Sequence, residues 1–170
     1  MPRLVMMSGL PGSGKSTLSK LLAERTGAEL LRIDVFEQDL RNQHGADFDV
    51  GTCGYQQGYR LAAHHLREGR NVIADAVNAV ELARQGWRDA AAASGSEIVE
   101  IEILCSDIEE VRTRLQTRDT GIPGLAPVPL ESVNTRQWEP SPALPVRIDT
   151  AGRDITDCTE ELLKRSGLSC

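Results

Sequence analysis

The chain has 170 residues, a formal net charge of -6 at pH 7, 40% hydrophobic residues and 26% charged residues, a balance typical of one globular domain. The acidic balance disfavours nucleic acids and anionic membranes as partners, and no run of about 18 apolar residues could span a bilayer. The four cysteines (Cys53, Cys105, Cys158 and Cys170) are widely spaced and form no CxxC pair, so we expect a reduced, cytoplasmic protein. Nothing in the sequence predicts an oligomeric state.

Short apolar runs alternate with helical stretches along the chain. Strands are predicted at residues 3–8, 29–33, 71–75, 98–104 and 146–149, and helices at residues 16–26, 35–41, 55–68, 81–94, 107–118 and 154–164. This alternation predicts an α/β fold, with a parallel sheet covered by helices on both faces. The segment 118–145 breaks the rhythm and holds six of the eight prolines, so we expect a lid with a short helix at 130–138. The prediction is a single domain over residues 1–170.

The most specific motif lies between the first strand and the first helix. Residues 9–16, GLPGSGKS, match the pattern GxxxxGK[ST] in full. Glycines let successive backbone amides turn toward one anion, and the helix that follows adds positive potential. Lys15 is expected to reach the β- and γ-phosphates of ATP, and the Ser16 hydroxyl to bind Mg²⁺. The predicted nucleotide contacts in this loop are Gly9, Leu10, Pro11, Gly12, Ser13, Gly14, Lys15, Ser16 and Thr17.

Two carboxylates come directly after predicted strands, at the sheet edge where the phosphate loop also lies. Asp75 ends the third strand and is a candidate for holding the Mg²⁺ water shell, although an aspartate at a strand end is also a common turn former. Asp34 follows the second strand and could accept the proton of an acceptor hydroxyl. Alternatively, Asp34 caps the helix predicted at 35–41.

An arginine run leads into the proline-rich segment. Arg114 and Arg118 are four residues apart and share a helical face, whereas Arg112 lies elsewhere on the helix. Phosphoryl transfer develops negative charge on the transferred group, and a mobile arginine can stabilise it, so Arg118 and Arg114 are the predicted catalytic arginines. The alternative is a set of solvated arginines on an amphipathic helix.

With these residues in place, the chain resembles the small P-loop kinases related to polynucleotide 5′-kinase, chloramphenicol phosphotransferase, adenylylsulfate kinase and zeta toxins. Besides the phosphate loop, the resemblance rests on Asp34, EGRNVIADAVN at 68–78, the arginine run at 111–118, WEPSP at 138–142 and RIDTAG at 147–152. It implies a three-layer sandwich with strand order 2-3-1-4-5, a lid that carries arginines, and an ATP·Mg²⁺ donor. It also implies that Asp34 activates the acceptor hydroxyl and that the adenine lies near 150–153, beside Arg153.

The chain departs from polynucleotide-kinase relatives three residues after the aspartate. Those relatives have an arginine there for the acceptor's phosphate, and this chain has Glu37. The nearest arginine, Arg41, is expected on a different helical face. Asp34, Glu37 and Arg41 are therefore the predicted acceptor residues, and the carboxylate pair favours a hydroxyl-rich or cationic small molecule over a phosphorylated acceptor.

The sequence thus predicts an ATP-dependent phosphotransferase whose partners are a nucleotide and a small-molecule alcohol. Two alternatives remain open. One is a kinase of nucleosides, nucleotides or polynucleotide 5′-hydroxyls, and the other is a non-catalytic ATP-binding regulatory module. No NKxD-like string for reading guanine occurs, which disfavours a guanine-specific switch.

Overall fold

Five parallel strands form the centre of the structure, a computed structural model that describes residues 1–143 and 145–169. The strands are β1 (Arg3–Ser8), β2 (Glu29–Arg32), β3 (Val72–Asp75), β4 (Glu97–Leu104) and β5 (Val146–Asp149). They pair in the order β2-β3-β1-β4-β5 with every pair parallel, which confirms the predicted fold class and strand order. The phosphate loop follows β1, the central strand. Because β1 pairs with β3 on one side and β4 on the other, the start of the loop is held in place.

Helices cover both faces of the sheet. They are α1 (Lys15–Thr26), α2 (Ile33–His44), α3 (Cys53–Arg67), α4 (Glu81–Ala92), α5 (Ile108–Thr117), α6 (Leu130–Asn134) and α7 (Ile155–Ser166). Alternate residues of β1 belong to two separate cores, as the period of two in a strand requires. Leu4 and Met6 pack with α3 and α4, and Val5 and Met7 pack with α1 and α7. This arrangement is the predicted three-layer sandwich.

Several predicted boundaries shift at the ends that carry function. The second strand ends at Arg32, one residue earlier than predicted. The helix α2 begins at Ile33 and ends at His44, whereas the sequence predicts a helix from residue 35 to residue 41. Arg32 is the N-cap of α2 and no side chain caps it, so the alternative role of Asp34 as a helix cap is wrong. Asp107 does cap α5, because its carboxylate accepts from two backbone amides. The short helix in the proline-rich segment ends at Asn134, four residues earlier than expected.

Two sequence-based expectations concern the protein's surroundings. No helix in the described residues is both long and apolar enough to cross a bilayer. Cys53, Cys105 and Cys158 carry free thiols, and Cys170 lies outside the described residues.

Candidate nucleotide and acceptor site

The phosphate loop, residues 9–17, connects β1 to α1 in a conformation that only glycine tolerates at two positions. Gly9 and Gly12 have φ angles of 155° and 85°. A Cβ added at Gly9 would lie 2.4 Å from the carbonyl oxygen of Ile103, and one at Gly12 would lie 2.8 Å from the side chain of Val111. Since neither neighbour has room for a methyl group, the sequence pattern is a packing requirement as well as a conformational one.

A buried charge cluster lies directly beneath the loop. The carboxylate of Asp75 is nearly inaccessible and bonds to the ammonium group of Lys15 through Oδ1. The Ser16 hydroxyl lies 3.4 Å from the same oxygen, and Nε of Arg32 lies 3.3 Å from Oδ2. Burial alone would raise the pKa of Asp75, but Lys15 and Arg32 hold that pKa below its ordinary value. Asp75 is therefore an ionised carboxylate with two cationic neighbours.

The residues predicted to hold Mg²⁺ are adjacent and offer the right donor atoms. Ser16 and Asp75 supply a hydroxyl and a carboxylate oxygen, and Mg²⁺ prefers oxygen ligands. Among residues 1–143 and 145–169, no group of three or more His, Cys, Asp or Glu side chains could hold a metal ion by itself. The pair fits Mg²⁺ that is bound jointly by one carboxylate, one hydroxyl and phosphate oxygens, which is the usual arrangement in kinases.

A nucleotide pocket of about 330 Å³ opens above the loop. Besides the loop, its wall contains the predicted residues Asp34, Arg114, Arg118 and Arg153, together with Thr150 and Ile155. Arg153 is exposed at the rim and pairs with Glu161 at 2.8 Å. The structure therefore brings all the predicted nucleotide contacts to one pocket, and their role in binding stays a prediction.

Arg114 lines this pocket, but most of its hydrogen bonds are to the phosphate loop and to neighbouring elements. Its Nη1 donates to the carbonyl oxygens of Gly12 and Ser13 at 3.2 and 3.0 Å and to the Thr150 hydroxyl at 2.8 Å. Its Nη2 donates to Glu110 at 2.5 Å. These bonds fix α5 and the end of β5 to the back of the phosphate loop. Because most of its donors are occupied, Arg118 is the better placed of the two predicted catalytic arginines.

A second cavity of about 690 Å³ adjoins the nucleotide pocket and is called the acceptor cavity below. It lies between α2, the loop after β3 and residues 124–129 of the proline-rich segment. Asp34 and Arg118 line both spaces, and Arg118 Nη2 lies 3.9 Å from Asp34 Oδ2. The reacting groups of donor and acceptor could therefore meet at this pair.

The three predicted acceptor residues line the same cavity. Asp34, Glu37 and Arg41 all face it from α2, so the expectation that Arg41 lies on a different face is wrong. Seven residues make almost two full helical turns, which returns Arg41 to the face of Asp34. Burial, followed by the neighbouring Asp34, raises the pKa of Glu37.

A buried polar network supports the far wall of the acceptor cavity. Asn78, with a left-handed φ of 51°, donates to the carbonyl of Met7 and accepts from the indole N–H of Trp87, each at 2.9 Å. The backbone amide of Asn78 donates to the hydroxyl of Tyr55 at 3.2 Å, and burial raises the pKa of Tyr55 to about 12. The Tyr55 side chain lines the cavity, and its hydroxyl group is therefore neutral at any ordinary pH.

Arg84 ties this network to the proline-rich segment. Its guanidinium is 1% exposed and donates to the carbonyl oxygens of Asn78 at 2.9 Å and of Glu139 at 2.5 Å. It also lies 5.4 Å from the centre of the Trp138 ring. The WEPSP motif thus marks the point where the proline-rich segment is anchored to α4 and the loop before it.

Sequence reasoning missed four residues of this region: Arg32, Tyr55, Arg84 and Arg136. Arg32 could have been found, because the parallel register places it beside Asp75. Arg136 lines the acceptor cavity from the proline-rich segment, and no local pattern indicates that contact. Tyr55 and Arg84 lie on helices, where their spacing alone does not distinguish a cavity wall from ordinary packing.

Comparison with known proteins identifies relatives of part or most of the chain. It is 32% identical over 100 residues to a UPF0200 protein of Aeropyrum pernix, which covers 50% of this chain and 54% of that protein. It is 30% identical over 164 residues to the protein Mb2027c of Mycobacterium bovis, which covers 88% of this chain and 32% of that protein. The chain thus spans about half or less of the length of the curated relatives it matches.

Solved structures with the same fold cover nearly the whole chain. A proposed kinase from Chloroflexus aurantiacus superposes with a TM-score of 0.73 at 22% identity, over 96% of this chain and 98% of that one. A gluconokinase from Sinorhizobium meliloti gives 0.68 at 17% identity, over 98% and 92%. The Mycobacterium tuberculosis APS kinase CysC, in complex with AMPPNP and APS, gives 0.64 at 19% identity, over 96% of each chain.

A family model described as "AAA domain" matches residues 4–135. The matched range includes β1, the phosphate loop, both strand-end aspartates and the arginine run of α5. The chain therefore belongs to the AAA domain family, and its fold is that of the small P-loop kinases.

Proposed function

We propose that this protein transfers the γ-phosphate of ATP to a hydroxyl group of a small molecule. The observation that supports this most directly is the position of Asp34 and Arg118 on the common wall of the nucleotide pocket and the acceptor cavity. A carboxylate and a guanidinium at that boundary match the two needs of phosphoryl transfer, an oriented hydroxyl and compensation of developing charge.

In the proposed reaction the acceptor oxygen bonds to the γ-phosphorus as the bond from that phosphorus to the β-phosphate oxygen breaks, which releases ADP. Asp34 orients the acceptor hydroxyl and takes its proton, and Arg118 contacts the transferred group. Bound Mg²⁺, held at Ser16 and Asp75, would neutralise charge on the β- and γ-phosphate oxygens.

Lys15 must change partners for this reaction, because its ammonium group bonds to Asp75 in the structure. When Lys15 turns to the phosphates, Arg32 remains within 3.3 Å of Asp75. Asp75 therefore keeps one cationic neighbour and stays ionised. Arg32 also donates to the carbonyl of Thr120 at 3.1 Å, so it joins the predicted metal site to the start of the proline-rich segment.

The small-molecule acceptor is favoured by the size of the acceptor cavity, about 690 Å³, and by the acidic balance of the chain, which does not suit a polymer of phosphates. The fold neighbours include a gluconokinase and an APS kinase, whose names indicate small acceptors. Both considerations weigh against a polynucleotide 5′-hydroxyl kinase.

The test is a transfer assay with labelled ATP and a panel of small alcohols, nucleosides and a 5′-hydroxyl oligonucleotide. On the acceptor that works best, Asp34→Asn should lower kcat by about 10²–10⁴-fold, the usual contribution of a positioned base, and should leave nucleotide affinity within a few-fold of the wild type. Asp39→Asn, an exposed aspartate on the same helix, is the matched control and should retain full activity. Full activity of Asp34→Asn would refute the role of Asp34, and exclusive labelling of the oligonucleotide would refute the acceptor class.

A further inference from the structure

The acceptor cavity contains more positive than negative side chains, although the chain as a whole is acidic. Arg41, Arg118 and Arg136 line it together with the carboxylates of Asp34 and Glu37. Arg118 is the partner of Asp34 at 3.9 Å. Two further guanidiniums, those of Arg41 and Arg136, therefore face the cavity opposite a single remaining carboxylate.

Arg41 and Arg136 differ from most arginines of this protein in their lack of a partner. Arginines elsewhere commonly pair with a carboxylate, as Arg88 does with Glu100 at 2.6 Å and Arg25 with Glu160 at 2.5 Å. Within the described part of the chain, the guanidiniums of Arg41 and Arg136 make no hydrogen bond and no ion pair within 4.0 Å.

The two arginines line this one cavity from different parts of the chain. They come from different elements, Arg41 from α2 and Arg136 from the residues after α6. Both act electrostatically on the same carboxyl group, that of Glu37, which faces the cavity beside Asp34. A group bound between them would therefore lie near Glu37 and within reach of the helix face that carries Asp34.

We propose that Arg41 and Arg136 form a subsite for an anionic group of the acceptor, a carboxylate or a phosphate, and that the acceptor's hydroxyl is presented to Asp34. Paired guanidiniums without other partners bind such groups through charge-assisted hydrogen bonds. The rest of the wall is largely apolar, with Ala79, Val80 and Ala83 on one side and Leu125 and Val128 on the other. The acceptor is then a compact hydroxy acid or alcohol phosphate.

This proposal rests on the proposed function and changes its acceptor class. The acidic residue at position 37, where related kinases have an arginine, favours a hydroxyl-rich or cationic acceptor. The structure shows that two other arginines, one of them distant in sequence, reach the cavity instead. An arginine missing from one position of the helix is thus compensated by arginines from elsewhere.

The test is a binding measurement that needs no catalysis, with three matched probes of the same carbon skeleton: glycerol 3-phosphate, glycerate and glycerol. The protein is first saturated with Mg·AMPPNP, so that the phosphate loop is occupied, and each probe is titrated by calorimetry. At least one of the two anions should bind 10-fold or more tightly than glycerol. The stronger of the two identifies the anionic group as a phosphate or a carboxylate.

The double variant Arg41→Gln/Arg136→Gln should weaken binding of that anion by 10-fold or more and leave AMPPNP affinity unchanged. Arg60→Gln/Arg67→Gln, which removes two exposed arginines of α3 outside the cavity, is the matched control and should change nothing. Anion binding no tighter than that of glycerol, or equal in the wild type and the Arg41/Arg136 variant, would overturn the proposal.

The two proposals fail separately. Transfer to neutral alcohols with no anion binding would leave the proposed function standing and remove the anionic subsite. Anion binding that needs Arg41 and Arg136, in a protein that transfers no phosphate to any acceptor, would support the anionic subsite and refute the proposed function.

Discussion

The nucleotide pocket and the acceptor cavity share Asp34 and Arg118 but are constructed in different ways. Half of the residues that line the nucleotide pocket belong to one continuous segment, residues 9–18, whose backbone shape depends on glycines. The acceptor cavity is assembled from α2, the loop after β3 and the proline-rich segment, which lie far apart in the sequence. We therefore expect donor binding to depend mainly on backbone geometry and acceptor selection to depend on side chains.

The two regions also differ in how their charges are balanced. Beneath the nucleotide pocket, Lys15 and Arg32 both lie within ion-pair distance of the buried carboxylate of Asp75. In the acceptor cavity, Arg41 and Arg136 are without partners among the described residues. Lys15 must leave Asp75 before its ammonium group can contact a phosphate, whereas the guanidiniums of Arg41 and Arg136 have no ion pair to break before they contact an anion.

Among the variants considered next, substitution of Arg118, which lines both regions, should give the largest effect. Arg118→Gln is expected to lower kcat for phosphoryl transfer by about 10³-fold, the lower end of the contribution of a catalytic arginine. Nucleotide affinity should change only a few-fold, because the phosphate loop is untouched. Arg112→Gln removes an exposed arginine of α5 that pairs with Glu109, and it serves as the control. Equal kcat values for Arg118→Gln and the wild type would mean that the boundary between the two regions is not where transfer occurs.

Lys15→Met tests the nucleotide side alone. Loss of one preorganised donor to a phosphate group should lower kcat by about 10²–10³-fold and weaken ATP binding, both measured on the purified variant. The fold should persist because Arg32 still neutralises Asp75. Lys20→Met, at an exposed position on the same helix, should behave as wild type. Retention of the wild-type anion affinity in the acceptor cavity would show that the two regions are energetically separate, and its loss would show that they are not.

The difference between the regions also explains how much the sequence could predict. The β1 strand, the phosphate loop and the candidate metal-site residues follow from local signals: an apolar strand, a glycine pattern, and a strand that ends in aspartate. The strand order follows from the resemblance to small P-loop kinases. The expectation that Arg41 lies on a different face from Asp34 is wrong because seven residues complete almost two helical turns. Arg136 carries no local signal at all, since its place in the cavity depends on how the proline-rich segment folds back toward α2.

The anchoring of the proline-rich segment can be broken without touching either set of reacting groups. Arg84→Met leaves the carbonyls of Asn78 and Glu139 without their buried donor, which should lower the free energy of unfolding by about 3 kcal/mol. Chemical denaturation would measure this loss.

The KM of the acceptor should rise while nucleotide affinity stays within about 2-fold, because the anchor supports only the acceptor wall. Gln85→Met, on the exposed face of the same helix, is the control. A variant that lost nucleotide affinity as well would show that the proline-rich segment supports both regions.

Glu37 gives the smallest and most specific effect, a difference in stability that depends on pH. Burial and Asp34 raise the pKa of Glu37 in the folded protein. The pKa of the same carboxyl group is therefore lower in the unfolded chain than in the folded protein. Ionisation therefore favours the unfolded state from about pH 4.5 upward, and this cost is complete above the folded pKa. Glu37→Gln removes the cost, so the Tm of the variant should exceed that of the wild type by a few degrees near pH 7, and the two should agree at pH 4. Glu24→Gln, which removes an exposed carboxyl group that pairs with Lys20, should show no such divergence. A wild type that is the more stable protein near neutral pH would mean that Arg41 and Arg136 already stabilise the ionised Glu37, and that they are not free to bind an anion.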